Sequence, residues 1–194
     1  QGNILLMAFE RIGPAFIWRG YMKQEAEEFI KEQLEKPLAD SQTTGGYKST
    51  LSEFRTSEQC SINATNPYCL KIKQAIAQLN DEMWNINVFE HCSENHFMRY
   101  REGGRFNMHH DIIYPTNYTN HVSRPIRKIS AIVLLSDRQT FEGGKLALFV
   151  DEQRISFDFD QGDLLVFPSY LKHQVDDITG GIRYSTVHWS YGGF

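Results

Sequence analysis

The sequence predicts an α+β fold in which β structure dominates, an antiparallel sandwich or jelly roll preceded by helices. Two observations predict it. The first third of the chain has apolar residues at helical spacing, whereas the chain after about residue 88 consists of short segments rich in Val, Ile, Phe and Tyr, separated by Gly, Pro and Asp turns. No helical pattern interrupts those segments, which is typical of antiparallel sheets and not of alternating strand and helix units.

Two segments of the first third predict helices. Residues 23–36 contain apolar residues at helical spacing, and Pro37 ends the run. Asn66 and Pro67 offer a helix cap followed by proline at the first helical position, and an apolar stripe then predicts a helix to about Trp84. We expect these helices to pack on one outer face of the β structure.

The strands are predicted from short apolar and β-branched runs bounded by turn residues. The candidate strands are Phe97–Arg101, Arg105–Ile112, Lys128–Leu135, Lys145–Val150, Arg154–Phe159, Asp163–Phe167 and Arg183–Trp189.

Length and composition favour one domain. With 194 residues, 41% of them hydrophobic, the chain can bury a sizeable core, and we expect residues 1–194 to form a single domain. Its helical part would cover about 20–88 and its jelly-roll core about 89–191.

Charge and cysteine usage limit the partners. The net charge of −4 argues against a general nucleic-acid binder, and no apolar run approaches the ~20 residues that cross a bilayer. Three cysteines without a CxxC pair fit a reducing compartment. We therefore expect a soluble, cytoplasmic protein with no membrane partner.

A candidate metal site begins with His109 and Asp111, which lie two positions apart in a predicted strand and so share one face. An imidazole and a carboxylate at that spacing supply two of the three ligands of a 2-His-1-carboxylate Fe(II) site. Taken alone, such a triplet is more typical of a solvent-exposed strand end. His173, which follows a predicted strand and a turn, is the candidate third ligand. Four other histidines are interpreted as surface or packing residues: His91, His96, His121 and His188. His110 is interpreted as exposed, with a contact to a metal ligand or to the substrate as the alternative.

Arg183 lies ten residues beyond His173. A guanidinium inside a barrel needs an anionic partner, because an unpaired buried charge is very costly, and its planar fork matches a carboxylate. Arg183 is therefore a candidate anchor for an acidic cosubstrate. The alternative is a surface arginine paired with a nearby acid such as Asp176 or Asp177.

Four motifs occur in a characteristic order. Residues 100–111 follow a YxxGx(2)[YF]xxHxD pattern, and residues 55–57 are an Arg-Thr-Ser triplet. Residues 141–146 form a Phe-Glu-Gly-Gly-Lys-Leu turn, and residues 162–189 contain a distal histidine followed ten positions later by arginine. In this order the motifs resemble the Fe(II)- and 2-oxoglutarate-dependent dioxygenases, in their prolyl 4-hydroxylase-like branch.

The resemblance implies Fe(II), 2-oxoglutarate and O2, with ascorbate as a candidate reductant. It implies three catalytic, iron-binding residues: His109, Asp111 and His173. It implies cofactor contacts for Tyr100, Arg183, Ser185 and Trp189, with Arg183 on the distal carboxylate of 2-oxoglutarate. It implies substrate contacts for Arg55, Ser57 and Arg127.

The implied reaction is hydroxylation of a prolyl residue in a peptide or protein, with release of succinate and CO2. Residues 38–57, which include Gly45 and Gly46, are predicted to form a mobile segment able to close over such a peptide. Two alternatives remain open: a hydroxylase of a free amino acid or other small molecule, and a non-catalytic metal-binding jelly-roll module. The second of these has no need for an anchor such as Arg183.

Overall fold

The computed structural model describes residues 9–41, 54–112 and 125–193, and antiparallel β structure dominates this part of the chain. One sheet has eight strands, a second has five, and a two-stranded ribbon completes the β structure. The prediction of a mainly β α+β fold with jelly-roll sheets is confirmed.

The strands are defined as follows, in chain order: β1 (Phe9–Ile12), β2 (Ala15–Trp18), β3 (Ala39–Asp40), β4 (Arg55–Thr56), β5 (Glu58–Ser61), β6 (Glu90–Tyr100), β7 (Arg105–His109), β8 (Ile126–Leu134), β9 (Phe141–Gly143), β10 (Leu146–Val150), β11 (Gln153–Phe157), β12 (Leu164–Pro168), β13 (Lys172–Val175), β14 (Ile178–Gly181) and β15 (Arg183–Gly192). The larger sheet has the order β1-β2-β12-β8-β15-β6-β5-β3, the smaller β11-β10-β13-β7-β4, and the ribbon pairs β14 with β9.

Both predicted helices are present. They are α1 (Ala26–Leu34) and α2 (Pro67–Leu79), and a π-helical turn at Asn80–Trp84 continues α2. The Asn66 side chain accepts a hydrogen bond from the Tyr68 backbone N–H at 2.9 Å, which is the cap that the sequence predicts. The two helices contact each other where Phe29 stacks on Tyr68, with ring centroids 3.9 Å apart.

The larger sheet is the central layer, because successive residues of its inner strands face opposite sides. In β12, Leu164 and Val166 pack in the cluster that contains the helices, whereas Leu165 and Phe167 pack with residues of the smaller sheet. The helices therefore lie on one face, as predicted, and the smaller sheet covers the other.

The first third of the chain is less helical than predicted. β1 and β2 form a hairpin whose turn contains Gly13 at φ +59°, and β2 extends the larger sheet beside β12. The short strands β3, β4 and β5 also fall within the predicted helical part at 20–88. Runs of two to four residues are too short to show a period, so the sequence gives no signal for them.

Some predictions lie outside the described residues. Only residues 38–41 and 54–57 of the predicted mobile segment are described, and His121 is not. Neither helix of the described residues is long and apolar enough to cross a membrane.

A buried histidine on the helix side of the larger sheet requires a neutral ring. His188, in β15, has no exposed surface, and its Nδ1–H donates to Asn95 Oδ1 at 2.7 Å. Its Nε2 accepts from the Thr186 hydroxyl at 2.9 Å, and that hydroxyl oxygen in turn accepts from Tyr68 at 3.2 Å. Burial lowers the pKa of His188 to about 3.

We expect this histidine to make the free energy of unfolding depend on pH. The unfolded side chain titrates near 6.5, so the unfolded state gains a proton below that pH while the folded state does not. The contribution of His188 to the free energy of unfolding is complete at pH 8, and about 2 kcal/mol of that contribution is lost by pH 5. In urea titrations, His188→Gln should lose about 2 kcal/mol less than the parent between these pH values. If the parent and His188→Gln lost equal free energy of unfolding between pH 8 and pH 5, the depressed pKa of His188 would be contradicted. The variant His91→Gln, which replaces a half-buried histidine, should change this pH-dependent loss by less than His188→Gln does.

Candidate active site

Three predicted ligands meet between the sheets. His109 ends β7 and pairs in register with His173 of β13. Asp111 lies beyond the strand, where its backbone N–H donates to the Ser169 carbonyl at 3.0 Å. One ligand atom from each of the three side chains lies within 4.8 Å of the others.

The predicted strand to Ile112 is therefore too long. It ends at His109, so strand alternation alone does not place Asp111 beside His109. The contact with Ser169, a residue from another part of the chain, holds Asp111 in the cluster.

The two histidines are oriented alike. Nδ1–H of His109 donates to the Asn107 carbonyl at 2.7 Å, and Nδ1–H of His173 donates to the Leu171 carbonyl at 3.0 Å. Each Nε2 then offers its lone pair toward Asp111, at 3.7 Å from Oδ1 for His109 and 3.5 Å from Oδ2 for His173. Backbone anchoring of Nδ1 is typical of imidazoles that bind metals through Nε2. Burial, reinforced by the nearby His173, holds the pKa of His109 well below its usual value.

Asp111 is a buried, ionised carboxylate. Its Oδ2 accepts from Ser130 Oγ at 2.7 Å and from the indole N–H of Trp189 at 2.8 Å. The Ser169 hydroxyl, 2.8 Å from Ser130 Oγ, donates to Ser130 because the Ser130 proton is directed at Asp111. Burial alone would raise the pKa of Asp111, but the two histidines and these two donors outweigh it and lower the pKa.

This donor set fits Fe(II). Two imidazole nitrogens and a carboxylate converge, with ligand atoms within 4.8 Å of one another, an arrangement that suits a cation at its centre. Two histidines and one carboxylate are the ligands of non-haem Fe(II) oxygenase sites.

The cluster opens into a pocket with about 410 Å³ of empty volume, part of it open to solvent. Apolar side chains make up part of the wall: Met98, Phe106, Ile132, Val175 and Val187. The polar lining outside the cluster comes from Arg55, Tyr100, Arg183, Ser185 and Trp189.

Arg183 is only 2% exposed, and among the described residues no carboxylate forms an ion pair with it. Its Nη1 donates to Ser185 Oγ at 2.9 Å, while its Nε has no partner in the described chain. The alternative pairing is wrong, because Asp176 pairs with Arg154 and Asp177 with Arg105. Burial lowers the pKa of Arg183 to about 10, so it stays charged at neutral pH. A buried cation with an unused donor beside the pocket fits a carboxylate ligand.

The other predicted site residues are placed unequally. Arg55 lines the pocket, stacks over the Phe106 ring at 4.4 Å and donates to Ser57 Oγ at 3.1 Å. Ser57 and Arg127 are not part of the pocket lining. The Arg127 guanidinium instead lies 3.7 Å above the ring of Trp189.

Sequence reasoning missed Ser130 as a partner of Asp111. The available signal was a hydroxyl in the apolar strand β8, because a buried hydroxyl needs a hydrogen-bond partner. The identity of that partner could not be inferred, since Asp111 is 19 residues away in sequence.

Residues 95–191 match the family model described as the 2OG-Fe(II) oxygenase superfamily. The chain belongs to this superfamily, as its motifs indicate, and it is a dioxygenase by class. Members of the superfamily are named for Fe(II) and 2-oxoglutarate, which agrees with the donor set and with Arg183.

Two similar proteins are hydroxylases by name. A PKHD-type hydroxylase of Cupriavidus pinatubonensis (strain JMP 134) is 36% identical over 169 residues, which cover 82% of this chain and 71% of that protein. A PKHD-type hydroxylase of Pseudomonas putida (strain W619) is 27% identical over 172 residues, which cover 83% of this chain and 71% of that protein.

Solved structures show the same fold. A Pseudomonas putida prolyl-4-hydroxylase superposes with a TM-score of 0.70 at 18% identity, covering 93% of this chain and 94% of that one. A Trichoplax adhaerens prolyl hydroxylase, solved with a hypoxia inducible factor oxygen degradation domain peptide fragment, superposes with a TM-score of 0.69 at 17% identity, covering 98% and 86%. The predicted double-stranded β-helix is confirmed.

We expect the three-residue cluster to bind one divalent cation. Mn(II), which accepts the same ligands, should bind the parent protein in calorimetric titrations, and Asp111→Ala or His173→Ala should weaken binding more than about 100-fold, since losing even an outer partner of a metal ligand costs 10–100-fold. Asp176→Ala, which removes a carboxylate paired with Arg154, is the control and should bind Mn(II) normally. Unchanged affinity in Asp111→Ala would refute the site.

Proposed function

We propose that this chain is an Fe(II)- and 2-oxoglutarate-dependent oxygenase that hydroxylates a prolyl residue in a peptide or protein, with release of succinate and CO2. One observation supports it above all: a His-Asp-His donor set and a buried arginine without an acidic partner line the same pocket. A module that only binds metal needs the first feature and not the second.

Residues of this chain have separate tasks in the proposed reaction. Fe(II) with 2-oxoglutarate supplies, when bound, the oxidising power for hydroxylation of a C–H bond by O2. His109, Asp111 and His173 hold the metal at the pocket wall. Arg183 orients the distal carboxylate of 2-oxoglutarate, with Ser185 fixing the guanidinium. Tyr100 and Trp189 complete the cosubstrate contacts, and the apolar wall limits access of water to the reacting atoms.

The prolyl substrate is proposed from the relatives. The superposed structures of Pseudomonas putida and Trichoplax adhaerens are prolyl hydroxylases by title, and the second was solved with a peptide fragment. Arg55 lines the pocket and holds Ser57, which supports these two residues as substrate contacts. Arg127 is proposed as a third. Ascorbate is proposed as the reductant that keeps the iron in its Fe(II) state.

The test is NMR detection of succinate formed from 2-oxoglutarate with Fe(II), ascorbate and air, with and without proline-rich peptides. Formation that requires Asp111 and rises with a peptide, together with a hydroxyproline signal, is the expected result. Asp111-dependent succinate that peptides do not change would refute the peptide substrate and favour a small-molecule hydroxylase. No succinate from protein loaded with Fe(II) would favour a non-catalytic module.

Arg183→Ala should raise the KM for 2-oxoglutarate by about 10- to 100-fold, because hydrogen bonds to charged groups contribute about 1.5–3 kcal/mol. Mn(II) affinity should not change, since Arg183 is not among the three ligands. Arg99→Ala, which removes an arginine that donates to Glu58 outside the pocket, is the matched control. An unchanged KM in Arg183→Ala would refute the anchor.

Gly144 packs closely against the side chain of Arg183. It has φ +59°, and an added Cβ would lie 2.3 Å from Ile178 Cδ1 and 3.1 Å from Arg183 Cδ. Gly103, at φ +77°, has no atom within 4 Å of such a Cβ. The close approach of Ile178 and Arg183 therefore explains why glycine stands at position 144, the second glycine of the Glu-Gly-Gly turn.

Gly144→Ala and Gly103→Ala should therefore differ. Both introduce left-handed strain of roughly 1–2 kcal/mol, but only Gly144→Ala displaces Arg183. We expect about a tenfold rise in the KM for 2-oxoglutarate in Gly144→Ala and none in Gly103→Ala, with urea titrations reporting the strain in each. Equal KM values in the two variants would contradict the packing argument.

A further inference from the structure

Three residues stand side by side across the central strands of the larger sheet. Trp189 of β15 is directly opposite Ser130 of β8 on one side and Glu94 of β6 on the other. Ser130 and Trp189 both donate to Oδ2 of Asp111. Glu94, the third member of this row, contacts the residues around Trp189.

The two carboxylate oxygens of Glu94 hold the two side chains that flank the indole. Oε2 accepts from Arg127 Nη2 at 2.7 Å, from Arg127 Nε at 3.2 Å and from the Tyr191 hydroxyl. Oε1 accepts from His96 Nε2 at 3.0 Å.

Two of the three side chains anchored on Glu94, Arg127 and His96, contact Trp189. The Arg127 guanidinium lies 3.7 Å from the centre of the indole face, and the His96 ring meets the indole edge-to-face at 5.5 Å. The Arg127 side chain is only 12% exposed, so its charge depends on Glu94 for a partner. Without that partner, the buried charge would be unpaired, which favours movement of the guanidinium away from the indole and into water.

The direction of the indole N–H is critical, because it must reach Oδ2 of a buried carboxylate at 2.8 Å. A hydrogen bond of this kind orients a ligating carboxylate, and such outer partners affect metal affinity. Fixing the indole from its face and its edge leaves the N–H aimed at Asp111.

We propose that Glu94 is a positioning residue for the metal centre, acting on Asp111 through Arg127, His96 and Trp189. This inference rests on the proposed function, because it requires Asp111 to be a metal ligand. It gives Arg127 a task that needs no substrate, in addition to the proposed contact with one.

The experiment is a Mn(II) titration without 2-oxoglutarate or peptide, so that neither substrate contacts nor turnover influence the result. Trp189→Phe should weaken Mn(II) binding at least about tenfold, as expected for loss of an outer partner of a ligand. Glu94→Gln keeps the shape of the side chain but removes its charge, and should weaken binding by about 3- to 10-fold. Arg127→Lys, which keeps the charge but loses the planar stack, should have a similar effect.

The double variant Glu94→Gln/Trp189→Phe distinguishes positioning from a general structural role. If Glu94 acts through Trp189, the double variant binds Mn(II) as weakly as Trp189→Phe and no more weakly. Glu58→Gln is the matched control, because it removes the charge of another carboxylate that pairs with arginines, on the neighbouring strand β5. This variant should leave the Mn(II) affinity unchanged.

Two results would overturn the inference alone: parental Mn(II) affinity in Glu94→Gln, or effects that multiply in the double variant. Failure of the parent protein itself to bind Mn(II) would overturn the proposed function, and this inference with it. Urea titrations of each variant confirm that a weakened site belongs to folded protein.

Discussion

The burial of one carboxylate determines the arrangement around it. Asp111 is ionised between the two sheets, and a buried anion is stable only when donors and a cation surround it. Ser130 and Trp189 supply the donors from the larger sheet. His109 and His173 contribute imidazole nitrogens from the smaller sheet, so the three side chains form a group that could hold a metal ion. At this point the two sheets are connected by hydrogen bonds to Asp111 as well as by apolar packing.

Strand β15 links this site to the rest of the protein. Its inward-facing residues Arg183, Ser185 and Trp189 provide the unpaired cation, the hydroxyl that holds it and the indole donor. The residues between them, such as Thr186 and His188, face the helices and form a neutral hydrogen-bonded network. One strand therefore lines the pocket on one side and contacts the helix-side hydrogen-bond network on the other.

The fold was predictable wherever the sequence has a clear period. Both helices and all seven predicted strands are present. A run of nine or more residues, or an alternating run of five, is long enough for its apolar residues to show which face is buried. β6 begins at Glu90, earlier than predicted, and the β1–β2 hairpin was missed. β2 pairs with β12 and the first residues of β6 pair with β15, and a neighbour more than 90 residues away leaves no local pattern. β1 pairs only with β2, in a run too short to show a period.

The family and the types of side chain at the site follow from the amino-acid sequence alone, since spaced residue types such as His109, Asp111 and Arg183 can be read without coordinates. The contacts that these side chains make depend on the three-dimensional fold. The backbone hydrogen bond from Asp111 to Ser169, and not strand alternation, holds Asp111 beside His109. Arg183 lacks an acidic partner because the nearby acids pair with other arginines, and Glu94 reaches Asp111 only through side chains on neighbouring strands. Charge pairing and hydrogen-bond direction depend on distances in space, and sequence separation does not specify those distances.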